Sequence, residues 1–278
     1  MRRRIFLAAA MLSLLGALAH SDGDKPVFDP GPGIGESFLF TARKLGIPIL
    51  RASIQLDNGL QEQGRQLSRI HAEVRSLNPL GFLFRMNNRF TSTMEADTCL
   101  PLRYAKEIDQ GGLLISRKQY RQVLTFDPVQ RKVVVENGGD KEKREIPVPP
   151  ETYDPLSMFG RYYLKEELYP GQEIRMSIFD GVKLRPMIFH SRKERVKTGR
   201  YGEVDAVCLE SSTSFSTFGE KEGVIRIWYT MDGKKTPISM ELSLPVGNVK
   251  FELEEVGGVA MNRKEESGVN GFGMESRP

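Results

Sequence analysis

Residues 223–256 read GVIRIWYTMDGKKTPISMELSLPVGNVKFELEEV, and this stretch decides the fold of the chain. Apolar and polar residues alternate along residues 238–244 and again along residues 249–253, which is typical of strands with one buried face. The dipeptide Asp232-Gly233 supplies the positive-φ residue that a tight hairpin turn needs. The stretch therefore predicts three antiparallel strands joined by two compact turns.

The first of these three strands is apolar on both faces. Ile225, Ile227 and Tyr229 fall on one face, whereas Val224 and Trp228 fall on the other. A strand with two apolar faces needs cover on both sides. We therefore expect other protein elements, or a bound ligand, to cover the region around Trp228 and Tyr229.

The chain begins with a pattern typical of exported proteins. Its first residues, MRRRIFLAAAMLSLLGALAHS, combine three arginines, an apolar run and the small-residue site Ala17-Leu18-Ala19. We expect a signal peptide over residues 1–19, cleaved after Ala19, and a periplasmic protein with no transmembrane segment after cleavage. The alternative is an uncleaved anchor, for which the apolar run is short.

The remaining chain divides into three predicted parts. Residues 20–35 are rich in Pro, Gly and Asp, so we expect a flexible leader. Residues 36–256 carry the strand patterns and form one predicted domain. Residues 257–278 lack hydrophobic periodicity, and we expect a disordered tail.

Charge and cysteine content narrow the choice of partners and the chemistry. Loss of the three signal arginines brings the formal net charge from +4 down to about +1, so we do not expect nucleic acid as a partner. The only two cysteines are Cys99 and Cys208. In an oxidising compartment such a pair predicts a disulfide, and the alternative is two separate buried thiols.

Helical signals interrupt the strand patterns at two places. Asp154-Pro155 is a typical helix opening, and the apolar residues Leu156, Phe159 and Tyr163 after it share one face. We expect this face to pack on a sheet. A second short helix is predicted after Asn78-Pro79.

Several passages together resemble a bacterial family of exported proteins, domain-of-unknown-function family 3108. The resemblance covers residues 36–256 and rests on the order of these passages along the chain. They are Leu45-Gly46-Ile47 at the end of the opening strand pair, residues 97–108 (DTCLPLRYAKEI), residues 120–127 (YRQVLTFD), Asp154-Pro155-Leu156-Ser157 with Leu168, Pro170 and Gly171, and Ile227-Trp228, Asp232, Pro237-Ile238 and Gly247.

The resemblance implies a fold but no chemistry, because the family has no assigned activity. It implies a mainly β fold similar to that of periplasmic lipoprotein carriers. We expect a strongly curved antiparallel sheet, or half-open β-barrel, with one or two short helices packed on its concave face. The resemblance also favours a strand over a long helix at residues 84–94.

Catalytic and metal-binding motifs are not recognisable in the sequence. The three histidines His20, His71 and His190 lack the spacing of a zinc site, and the chain has no G-x-S-x-G elbow. We therefore assign no catalytic residue, no metal ligand and no cofactor.

Three interpretations of function stay open. The first is a non-enzymatic exported binding protein that holds a lipid-like or amphipathic ligand in the curved sheet, with Trp228, Tyr229, Phe159 and Tyr163 as candidate ligand-binding residues. The second is an envelope scaffold whose helix fills the concave face permanently and whose outer surface recognises another protein or the cell wall. The third is a hydrolase with His190 as its base.

Overall fold

The alternating sequence patterns form strands in a computed structural model of the protein, which describes residues 34–77, 85–113, 117–139, 143–215, 221–244 and 247–258. This part of the chain forms 15 strands and one helix, α1 (Pro155–Leu164). The strands are β1 (Ile34–Lys44), β2 (Ile47–Glu62), β3 (Arg65–Ser76), β4 (Arg85–Glu95), β5 (Pro101–Gly111), β6 (Lys118–Asp127), β7 (Lys132–Asn137), β8 (Lys143–Pro147), β9 (Thr152–Tyr153), β10 (Glu173–Phe179), β11 (Leu184–Thr198), β12 (Gly202–Phe215), β13 (Lys221–Thr230), β14 (Pro237–Leu244) and β15 (Gly247–Gly258).

All 15 strands belong to one sheet, whose order is β8-β7-β6-β5-β4-β3-β2-β1-β15-β14-β13-β12-β11-β10-β9. Neighbouring strands are antiparallel, except for the parallel pair β9 and β10. The two edge strands, β8 and β9, are separated by only four residues of chain. Such a link spans at most about 18 Å, so the sheet curves until its edges come near each other without pairing. The predicted mainly β fold with a curved antiparallel sheet is confirmed.

The deciding stretch forms the predicted meander of β13, β14 and β15. Gly233 has a φ of 79°, as the predicted turn between β13 and β14 requires. Residues 85–95 form β4, which confirms the strand implied by the family resemblance. The second predicted helix, which starts at Asn78-Pro79, falls on residues 78–84 and lies outside the described residues.

The sheet extends slightly beyond the predicted domain. Ile34 and Gly35 already belong to β1, and β15 continues to Gly258, so the sheet extends two residues beyond the predicted domain at each end. The predicted signal peptide, the rest of the leader and residues 259–278 lie outside the described residues. No helix in the described part of the chain is long and apolar enough to span a membrane.

The Asp154 side chain fixes the start of α1. Its Oδ1 accepts hydrogen bonds from the backbone N–H groups of Leu156, at 2.8 Å, and Ser157, at 3.1 Å. The hydroxyl of Ser157 accepts in return from the backbone N–H of Asp154 at 3.0 Å, which completes a capping box. Ser92 on β4 donates to Asp154 Oδ2 at 2.6 Å. The cap therefore joins the helix to the sheet.

Two apolar clusters fill the space inside the curved sheet. The larger surrounds α1 and draws side chains from strands on both sides of the β1–β15 pair. The smaller lies against β5, β6 and β7 and includes Phe179 at the end of β10. Lys106 on β5 donates to the backbone oxygen of Asp180 at 2.7 Å, in the turn that follows β10. These contacts join the two ends of the sheet across the gap between β8 and β9.

Both cysteines are free, buried thiols, so the structure does not contain the predicted disulfide. Cys99 lies between β4 and β5, close to the charges of Arg161, Lys165 and Glu166 at the C-terminal end of α1. Cys208 lies in β12 opposite Trp228, beside a different set of charges. The prediction used only the oxidising compartment, whereas the fold buries the two cysteines among different neighbours.

Candidate functional site

The concave face of the sheet is occupied by an aromatic cluster centred on α1. The Phe159 ring stacks on Tyr163 at a centroid distance of 6.1 Å and lies 6.4 Å from the Tyr229 ring on β13. Phe38 on β1 lies at the edge of the cluster. Its ring contacts the Tyr163 ring at a centroid distance of 5.4 Å and at nearly a right angle. Three of the four predicted ligand-binding residues are therefore brought together, but they contact one another and the sheet.

The helix leaves little space between itself and the strands below it. A Cβ placed on Gly160 would lie 2.7 Å from Cε of Met94 on β4 and 2.9 Å from Cδ1 of Ile70 on β3. On its other side, Tyr162 meets Phe189 of β11 at a centroid distance of 5.4 Å. Since α1 touches strands from both halves of the sheet, the sheet wraps around it. The helix occupies the place where a lipid-like ligand was expected.

Trp228 lies on the opposite face of β13 from Tyr229, as the sequence pattern predicted. Its indole Nε1 donates to Glu194 Oε2 on β11 at 2.6 Å, and Lys250 Nζ lies 5.9 Å from its ring centroid. Only 7% of Trp228 is exposed. Both faces of the strand are therefore covered by the protein itself, one by α1 and the other by charged side chains of neighbouring strands.

A groove on the other face of the sheet was missed by sequence reasoning. It crosses β3, β4, β5 and β6 and has a volume of about 310 Å³. We call it the arginine groove. Its lining residues are Arg69, His71, Arg89, Thr91, Thr93, Arg103, Ala105, Glu107 and Arg121.

The strand register explains how the arginine groove is built. Arg69 on β3 pairs with Thr93 on β4, which pairs with Arg103 on β5. Four residues further along, Arg89 on β4 pairs with Glu107 on β5, and Glu107 pairs with Arg121 on β6. The row between these two consists of His71, Thr91 and Ala105, whose side chains are shorter than arginine. Long side chains thus form two walls on either side of a low floor.

His71 lies at one end of this floor. Its Nδ1 is 2.9 Å from the hydroxyl of Thr91, and its Nε2 is 3.9 Å from Asp57 Oδ2 on β2. Burial lowers the pKa of His71, and this effect outweighs the opposing charge of Asp57. Burial therefore favours the neutral form of the imidazole.

Neither the hydrolase interpretation nor a metal site corresponds to a cluster of functional groups among the described residues. His190, the base of the hydrolase interpretation, is exposed on β11 with its Nδ1 4.0 Å from Glu173 Oε2. Among the residues that the structure describes, no group of three or more His, Cys, Asp or Glu side chains is arranged to hold a metal ion.

A curved, unclosed sheet packed around one helix places the chain among the β-barrel-like proteins. It is similar to a crystal structure of a beta-barrel-like protein of domain of unknown function DUF1849 from Brucella abortus, with a TM-score of 0.50 and 11% sequence identity. The match covers 81% of this chain and 98% of that chain, and it shows the fold alone.

Comparison of the sequence with known protein families identifies the family of this chain. The family described as "Protein of unknown function (DUF3108)" matches residues 37–254, and the chain belongs to it. The resemblance stated from the sequence is thereby confirmed. No curated protein matches this chain.

Proposed function

We propose that this protein is an exported, non-enzymatic binding scaffold of the cell envelope. In this proposal α1 fills the concave face of the sheet permanently, and the protein recognises its partner through its outer surface. The observation that carries the proposal is the packing of Phe159 and Tyr163 against Phe38 and Tyr229. Rings in such contact stabilise the helix on the sheet and leave their surfaces unavailable to a ligand.

The competing proposal is a carrier that holds a lipid-like ligand against the concave face. It requires α1 to leave its site, which would expose Phe159 and Tyr229, now 4% and 0% exposed. Exposing these rings costs roughly 1.5 to 3 kcal/mol for each side chain. The ligand would have to supply that free energy in addition to its own binding.

Uptake of a fluorescent fatty acid distinguishes the two proposals. We expect no saturable uptake by the wild-type protein, and no lipid in organic extracts of purified protein analysed by mass spectrometry. Phe159→Ala serves as a control that opens an apolar cavity beside Tyr163, and a folded preparation of it should bind the probe more than wild type. Stoichiometric uptake by wild type would establish the carrier and overturn the scaffold.

Export is tested separately by cell fractionation and N-terminal sequencing. We expect the protein in the periplasmic fraction with His20 as its first residue, since the small-residue site ends at Ala19. A chain that keeps residues 1–19 would contradict this part of the proposal.

A further inference from the structure

We propose that the arginine groove is a binding site for a phosphate-bearing ligand, with Arg69 and Arg103 holding the phosphate group above Thr93. The proposal specifies a ligand for the outer surface of the sheet and so rests on the proposed function. The part of the proposed function on which the phosphate site depends is the accessibility of this outer surface.

The two walls of the groove differ in their charge balance. In one wall, Arg121 Nε lies 3.4 Å from Glu107 Oε1, and Arg89 Nε lies 3.9 Å from Glu73 Oε1. Positive and negative charges alternate along this wall, so it carries little net charge. Its arginines already have carboxylate partners.

The other wall has no such compensation. Within the described part of the chain, neither Arg69 nor Arg103 forms an ion pair, and Arg69 Nε donates only to the hydroxyl of Thr93, at 3.4 Å. Asp57 faces Arg69 from β2, but its nearest contacts are Gln55, which donates to it at 3.0 Å, and His71. The positive potential of the groove is therefore concentrated at Arg69 and Arg103.

The spacing of these two arginines suits a single anion. They lie on β3 and β5, in register with Thr93 on β4 between them. Two strand spacings amount to about 10 Å, so two arginine side chains can reach one group lying over the middle strand. The Thr93 hydroxyl below that point offers a further hydrogen bond.

Phosphate matches this arrangement better than a carboxylate does. A guanidinium binds an oxyanion through two parallel N–H groups, and two guanidiniums need an anion with more than two acceptor oxygens to do so together. Inorganic phosphate has four such oxygens, and a phosphate monoester has three. The volume of about 310 Å³ is at the small end of the range for ligand sites. It suits a phosphorylated headgroup or sugar and is small for a folded partner.

The test measures binding of inorganic phosphate by calorimetry, and of vesicles of phosphatidic acid or phosphatidylcholine by cosedimentation. The variant is Arg69→Gln/Arg103→Gln. The control is Arg175→Gln/Arg195→Gln, which removes the same charge from two arginines that are 72% and 74% exposed on β10 and β11. An unchanged thermal midpoint establishes that both variants fold.

We expect wild type and the control to bind phosphate within twofold of each other, and Arg69→Gln/Arg103→Gln to bind at least tenfold more weakly. Binding should weaken as salt is added, because the contacts are charged. Binding of phosphatidic acid but not phosphatidylcholine vesicles, lost in the same variant, would identify the source as a lipid headgroup. Phosphate binding without vesicle binding would identify a soluble phosphate ester.

Two results would overturn the inference. One is the absence of both phosphate and phosphatidic acid binding by wild type at low salt. The other is equal weakening in the two double variants, which would mean that only overall charge matters. Neither result depends on fatty-acid uptake, so failure of this inference is distinguishable from failure of the proposed scaffold.

Discussion

Asp154 combines local and long-range roles in one side chain. It caps α1, and it accepts a hydrogen bond from Ser92 on β4, 62 residues earlier in the chain. The sequence predicts the cap, because Asp before Pro is a common helix opening. It does not predict Ser92 as a partner, since that contact depends on where the curved sheet meets the helix.

Burial of Asp154 predicts a pH dependence of stability. Desolvation raises its pKa from 3.8 to about 6, although hydrogen bonds from Ser92, Ser157 and Leu156 favour the charged form. Between pH 4 and pH 6 the folded protein therefore keeps a proton that the unfolded chain has lost. The raised pKa of Asp154 therefore adds about 3 kcal/mol to the free energy of unfolding. This stabilisation is complete below pH 4 and is lost as the pH rises through 6.

The measurement is urea unfolding of wild type and Asp154→Asn from pH 4 to pH 7. Asn also caps helices and does not titrate, so we expect the variant to lack this fall in the free energy of unfolding. Asp97→Asn, at an exposed site, is the control and should keep the wild-type pH dependence. Parallel pH curves for Asp154→Asn and wild type would contradict the assignment.

At the scale of elements, the close approach of α1 to β3 and β4 depends on Gly160. The atoms that a Cβ would meet, Met94 Cε and Ile70 Cδ1, are the ends of flexible side chains. A methyl group can therefore be accommodated by small rotations. A larger side chain has no such space and would push the helix off the sheet.

Two substitutions of Gly160 test this packing. We expect Gly160→Ala to change stability little, because the gain in helix propensity of about 1 kcal/mol offsets the small shift of Met94 and Ile70. We expect Gly160→Leu to lower the free energy of unfolding by about 1 to 3 kcal/mol through overpacking. Chemical denaturation measures both. Equal stability of the Leu and Ala variants would mean that the helix is loosely held.

The strands themselves were predictable, whereas the arginine groove was not. Alternation identified the meander of β13, β14 and β15. The groove needs the relative register of β3, β4, β5 and β6, which sets Thr93 between Arg69 and Arg103. Register is fixed by turns and bulges along the whole sheet, so a single sequence does not reveal which charges become neighbours.

At the scale of the whole molecule, burial on both faces of the sheet also controls the two thiols. Burial raises the pKa of Cys99 to about 11 and that of Cys208 to about 12. The reactive thiolate is therefore scarce at pH 8, and the surrounding side chains limit access to both sulfurs.

Thiol titration with a chromogenic disulfide reagent checks this prediction. For protein purified without reductant, we expect almost no reaction in the folded state and two reactive thiols per chain in denaturant. If Cys99 and Cys208 instead formed a disulfide, no thiol would react in denaturant until a reductant was added. A fast reaction of the folded protein would instead show that one of the two sites opens readily.

The pairing of β1 with β15 makes the order of synthesis differ from the order in space. These strands, the first and last that the structure describes, lie beside each other in the middle of the sheet, while β8 and β9 from the middle of the chain form its edges. The central ladder therefore joins residues more than 200 positions apart, such as Phe40 and Leu253. A growing chain can form each half of the sheet by local hairpins, but the two halves can unite only after β15 has been synthesised.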